Sequence, residues 1–132
     1  NKQSTQSAAG LVDTLVQSAV KVGGTTIVAS VIDSTDADGI RALIDQLRRK
    51  ASPTAVLLAS VHEEKIILIA GLSSELVEKK LSASEWVKAA AKVVGGGGGG
   101  RPDLAQAGGK DPSKLAEAIQ TGTKWIQEKL GG

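Results

Sequence analysis

The stretch "AVLLASVHEEKIILIAGL", Ala55 to Leu72, decides the fold. Its two halves, Ala55 to Val61 and Ile66 to Leu72, are short, nearly unbroken apolar runs bounded by polar residues and, upstream, by Pro53. Runs of that length and composition predict two strands. The polar "HEEK" between them predicts a tight turn, so the second strand returns antiparallel to the first.

Reading outward toward the N-terminus, Thr25 to Ile32 ("TTIVASVI") is a third strand, rich in β-branched residues. Asp33 to Asp38 carries helix-start chemistry. Ile40, Leu43, Ile44 and Leu47 then follow at i, i+3, i+4 and i+7, and Arg48-Arg49-Lys50 closes the last turn against the helix dipole. Strand, helix and strand in succession predict a βαβ unit with two parallel strands. Upstream, Leu11, Val12, Leu15, Val16, Ala19 and Val20 form one apolar stripe, which predicts a helix from about Thr5 to Val22, stopped by Gly23-Gly24.

Reading outward toward the C-terminus, the chain turns helical again after Leu72. Ser82 and Glu85 form an S-x-x-E capping box, and Val87, Ala90, Ala91 and Val94 share one face. Leu104 to Ala107 fits a short edge strand. Asp111-Pro112 supplies an N-cap with proline in the first helical position, ahead of a last helix marked by Leu115, Ala118, Ile119, Gly122 and Ile126. The fold class is therefore α/β: a small mixed sheet, made of a βαβ unit plus an antiparallel hairpin strand, packed with helices.

The chain has 132 residues, 41% of them hydrophobic, enough for one globular domain that buries roughly 65–70% of its unfolded surface. It has no cysteine, which excludes disulfides, thiolate metal sites and Cys nucleophiles within it. A single histidine, His62, excludes a His-pair metal site and argues against a Ser-His-Asp triad. No apolar run approaches the roughly 20 residues of a membrane span, and no signal pattern opens the chain, so the expectation is a cytoplasmic protein without a membrane partner. The absence of Met at position 1 suggests a piece of a longer protein. Trp86 and Trp125 are the only aromatic residues and are expected in the core or at its rim. There is accordingly no aromatic platform of the kind that stacks single-stranded bases.

The other informative stretch is "VVGGGGGGRPDLAQAGGKDPSKL", Val93 to Leu115. It fails as a phosphate loop. Gly95 and Gly100 stand where a Walker A motif needs its glycines, but Arg101-Pro102 follow instead of Lys and a hydroxyl. G-x-G-x-x-G matches trivially, and the run follows a helix instead of a strand. A flexible linker is the plain alternative, but the run leads straight into apolar residues and a second diglycine. It reads better as a backbone-rich surface patch, open to close approach, with Arg101 and Lys110 at its edges. The charge supports an anionic partner there. From Lys79 onward there are nine Lys/Arg against five Asp/Glu, and before it seven against nine.

The string "GGGGGGRPDLAQAGG", preceded by "LSASEWV" and "IILIAGLS", resembles the C-terminal domain of bacterial alanyl-tRNA synthetases, the DHHA1 or C-Ala domain. The resemblance runs from the first strand to the last helix. It implies a non-catalytic domain that binds the outer corner of a tRNA, where D- and T-loops meet, and links aminoacylation to editing. The implied partners are tRNA(Ala) and the upstream catalytic and editing domains, with a homodimer formed in some members. ATP, Mg2+ and Zn2+ would belong to those upstream domains, and no cofactor to this one. The implied division is 1–24, the end of a helical subdomain; 25–130, the globular domain; and 131–132, a tail. The implied nucleic-acid surface comprises Gly95, Gly96, Gly97, Gly98, Gly99, Gly100, Arg101, Gln106, Gly108, Gly109 and Lys110, with Lys88 and Lys92 beside them. Gln106 could reach a ribose or base edge, or pair within the sheet, and Asp103 is expected to be structural.

Two other readings stand beside this one. Related DHHA1 domains end DHH-family phosphoesterases and nucleases, although a histidine follows the glycines in those and Arg101-Pro102 does here. A purely structural module would use the Leu11 to Val20 stripe as a dimer interface, unless that stripe packs on its own sheet.

Overall fold

The computed structural model of the chain describes residues 8–17, 19–32, 37–50, 53–62 and 65–131. The helix-start residues Asp33 to Asp36, the centre of the "HEEK" turn and Gly132 lie outside the described residues. Among the described residues there are five α-helices: α1 (Ala8–Gln17), α2 (Ala37–Lys50), α3 (Ser74–Glu78), α4 (Ala83–Val93) and α5 (Leu115–Gly131). Six strands, β1 (Val20–Val22), β2 (Thr25–Val31), β3 (Thr54–His62), β4 (Lys65–Leu72), β5 (Gly97–Gly100) and β6 (Leu104–Gly109), form one sheet in the order β1-β2-β3-β4-β6-β5.

The centre of the sheet is what the apolar runs predict. β2 and β3 are parallel, and β3 and β4 antiparallel. Successive residues of β3 alternate between two cores. Ala55, Leu57 and Ala59 face α4 and α5, whereas Val56 and Leu58 face α2 and α1. A strand sandwiched this way has no polar face, which is why its sequence shows no alternation. Ile40, Leu43, Ile44 and Leu47 of α2 are all buried against the second core.

On the other side, Trp86 of α4 is fully buried and donates its indole N–H to the carbonyl of Gly122 in α5 at 2.7 Å, which satisfies the one polar group its ring carries inward. Ser82 caps α4 by accepting from the Glu85 amide at 3.4 Å. Asp111 caps the final segment by accepting from Ser113 N at 3.2 Å; Pro112–Lys114 form a 3-10 turn before α5 begins. Trp125 sits at the rim, half-buried, with the Lys129 ammonium 5.3 Å from its ring centre.

Three expectations need correction. The helix expected from Thr5 to Val22 ends at Gln17, and Val20–Val22 instead pairs antiparallel with Thr25–Ile27. Gly23 and Gly24 have φ of 57° and 84°, the two positive values a tight hairpin turn requires, so the diglycine is a hairpin turn and not merely a helix stop. β1 is thereby the first strand of the sheet, and at the other end of the chain α5 runs to Gly131. The stripe's Leu15, Val16 and Ala19 pack on the core beneath α2. Finally, Leu104–Gly109 is not an edge strand; it lies between β4 and β5, and the edge is the glycine run itself.

Candidate nucleic-acid interface

The six glycines do two different jobs. Gly95 and Gly96 end α4. The Gly95 amide donates to Lys92 O at 3.2 Å and the Gly96 amide to Ala91 O at 2.9 Å, with Gly95 at φ 69°. These are the two bonds of a Schellman cap, which satisfies carbonyls the helix would otherwise leave orphaned. Gly97 to Gly100 then run antiparallel to β6, Gly97 opposite Gly108 and Gly100 opposite Ala105.

Glycine is required where this edge strand closes on its neighbour. A Cβ on Gly98 would stand 2.5 Å from the Ala107 Cα and 2.4 Å from the Gln106 carbonyl oxygen. A Cβ on Gly97 would meet nothing within 4 Å. Position 98 therefore carries a packing constraint that position 97 lacks. The strand has no side chains of its own to shield its backbone, so another backbone can come close to it.

The turn that follows is pinned from several directions. Ala83 N donates to Pro102 O at 2.8 Å, Leu72 N to Asp103 O at 2.9 Å, and Arg101 N to Leu104 O at 3.1 Å. Arg48 of α2, only 22% exposed, donates to the carbonyls of Leu72 and Asp103 at 3.3 and 3.2 Å while pairing with Asp45 at 2.6 Å. Asp103 is structural through its main chain; its carboxylate also lies 3.6 Å from Arg101 Nε. The Arg101 side chain is 76% exposed on this anchored turn.

Cations frame the strand. Arg101 stands at the end of β5, and Lys110 leaves the far end of β6, its amide bonded to Val94 O at 2.8 Å. Lys88 and Lys92 are exposed along α4, which packs beside β5. The Lys88 Cε would lie 3.1 Å from a Cβ at Gly99, so that side chain reaches the strand at Gly99. Ser84, one turn earlier, accepts from the Gly100 amide at 3.3 Å. Ser84 and Lys88 thus meet the strand from successive turns of α4, and Lys92 follows one turn later on the helix. Gly108 and Gly109 lie inward, in β6; a Cβ on Gly109 would stand 2.3 Å from Val94 Cγ2, a packing role under the end of α4. Gln106 points to the α2 side, where its side-chain carbonyl accepts a hydrogen bond from Arg41.

Arg41 and Ser84 were not among the residues singled out from sequence. Neither belongs to the glycine signature, and Arg41 lies 65 residues from Gln106 along the chain, so only the folded sheet brings them to the site. No group of His, Asp and Glu among the described residues is placed to hold a metal ion. No helix among them is long and apolar enough to cross a membrane.

The family model described as the DHHA1 domain matches residues 24–128. The alanine–tRNA ligase of Rhodopirellula baltica is 50% identical over 120 residues, covering 90% of this chain and 13% of that protein. The chain therefore spans about an eighth of that relative's length. The crystal structure of the C-Ala domain from Aquifex aeolicus alanyl-tRNA synthetase superimposes with a TM-score of 0.71 at 37% identity, covering 86% of this chain and 98% of that one. A DHH-domain protein described as a member of the s1p family of ribosomal proteins shares the fold, with a TM-score of 0.62 at 15% identity over 99% of this chain and 31% of its own.

Proposed function

The chain belongs to the DHHA1 family as a C-Ala domain of alanyl-tRNA synthetase, and from that premise we propose that it is a non-catalytic tRNA-binding domain that grips the outer corner of a tRNA. The observation that carries this reading is the bare glycine edge strand framed by Arg101, Lys110, Lys88 and Lys92. A folded RNA corner is recognised by shape, riboses and phosphates more than by base edges. Side-chain-free backbone lets a sugar–phosphate chain approach closely, and the surrounding cations supply the non-specific, salt-dependent part of the affinity. On this reading the parent protein is an alanine–tRNA ligase. Alanine activation and editing, with their ATP and metals, belong to its other domains, and this one holds tRNA(Ala) for both.

The test is a binding titration at two salt concentrations with full tRNA(Ala), an acceptor-stem minihelix and a short single-stranded RNA. Preference for the full tRNA, weakening steeply with salt, is the expected result. Equal binding to the minihelix removes the corner from the reading, and preference for the single strand favours a role like that of nuclease-associated DHHA1 domains.

A further inference from the structure

The cations of the glycine segment all stand on α4 or on the connections at the strand ends, yet the strand has a second side. There α2 packs over β3 and β4, and Arg41 reaches from it to Gln106 of β6. Gln106 is the residue directly opposite Gly99 in the β5–β6 ladder. Gly99 is also the position that Lys88 approaches from the α4 side, its Cε 3.1 Å and its Nζ 3.7 Å from where a Cβ would be. One register level of the sheet edge therefore has a cation on each face, with a bare glycine between them and neighbouring strands only about 4.8 Å apart.

Arg41 is suited to more than bracing. Its side chain is 44% exposed, and its other partner, Asp38, is a 92%-exposed carboxylate at 3.3 Å one turn back on the same helix. Exposed pairs of that kind contribute little and exchange readily. The guanidinium fork carries more N–H donors than its bonds to Asp38 and Gln106 use among the described residues. An acceptor at the strand edge could take the remaining donors while Gln106 holds the fork in place.

We infer that Arg41 and Lys88 form a two-sided clamp on an RNA phosphodiester lying against Gly99, with Gln106 as the positioning residue for Arg41. This rests on the RNA-binding reading above and extends the surface round the sheet edge to its second face. It also resolves the two roles open to Gln106, which serves the ligand through the arginine and not by touching a base.

The experiment is tRNA binding across a salt series, with thermal melting in parallel, for the wild-type chain, Arg41→Ala, Arg41→Lys, Gln106→Ala, the Arg41→Ala/Gln106→Ala double variant, and Arg101→Ala as reference. Arg41→Ala should weaken binding about fivefold to tenfold and lower the slope of log K against log salt by about 0.7–0.9, one phosphate contact, with melting unchanged. Arg41→Lys should keep the slope and recover part of the affinity, because the charge remains and the fork does not. Gln106→Ala should lose less, and nothing further in the Arg41→Ala background. Wild-type affinity and slope in Arg41→Ala, with Arg101→Ala impaired, overturns the clamp and leaves the RNA-binding reading standing. A lowered melting point with the slope intact also overturns it, since Arg41 is then only a strut. Failure of the wild-type chain to bind tRNA overturns both.

Discussion

The two edges of the sheet are built on opposite plans. At one edge, β1 is Val20-Lys21-Val22, with side chains on the strand and the glycines, Gly23-Gly24, in the turn. At the other, the glycines are the strand, and the turn is Arg101-Pro102-Asp103. Each strand pairs antiparallel with its inner neighbour. The first edge is short and carries a lysine, the usual guards against unwanted strand pairing, although Val20 is 46% exposed. The second edge has no side chains of its own and is guarded by cations from neighbouring elements. The difference teaches that glycine at a turn serves the fold through its φ, whereas glycine along an edge lets the strand close on its neighbour, as at Gly98, and leaves its outer backbone bare.

Substitutions can break or sharpen that contrast. The largest effect is expected at Gly98, where Val must overlap Ala107 and Gln106; the loss of stability should reach the upper end of the about 1–3 kcal/mol that overpacking costs, and tRNA affinity should fall with it. Chemical denaturation reads this directly, and an unchanged midpoint would mean that the glycine strand does not sit against β6. Gly24→Ala comes next. A residue with a Cβ at φ 84° should cost about 1–2 kcal/mol, with tRNA binding of the folded fraction unaltered. Loss of binding in that variant would erase the distinction between a structural edge and a functional one.

Arg101→Ala inverts the pattern, with melting unchanged but tRNA binding weakened about fivefold and the salt slope reduced by about one phosphate. Unaltered binding would remove the exposed turn from the interface. The smallest effect is expected for Gly97→Ala. Its Cβ meets nothing within 4 Å, so stability should stay within about 0.5 kcal/mol of wild type. A fall in tRNA affinity in that variant is then read as ligand contact, because the added methyl meets no neighbour in the fold.

The same contrast explains what could be read beforehand. β3, β4 and α2 were legible because burial on two faces or on one stripe leaves a pattern in side-chain type, and the βαβ connection follows from chain chirality. β1 is hidden in the sequence because a three-residue strand is too short to show alternation, and Val20 also completes the apolar stripe of α1. The diglycine with valine before it and threonines after it carried the hairpin signal. β5 showed no strand pattern because pattern is written in side chains and glycine has none. With β5 unrecognised, β6 looked like the edge.

Sequence by itself determined the fold class, the central strands and the glycine signature with its basic surroundings, because hydrophobic periodicity and motif spacing are local properties of the chain. Tertiary structure alone decided that the glycines form the sheet's edge, that position 98 is constrained and position 97 is not, and that Arg41 meets Gln106. Those facts depend on the distance between backbones and on helices and strands far apart in sequence coming to one place, which only the assembled sheet determines.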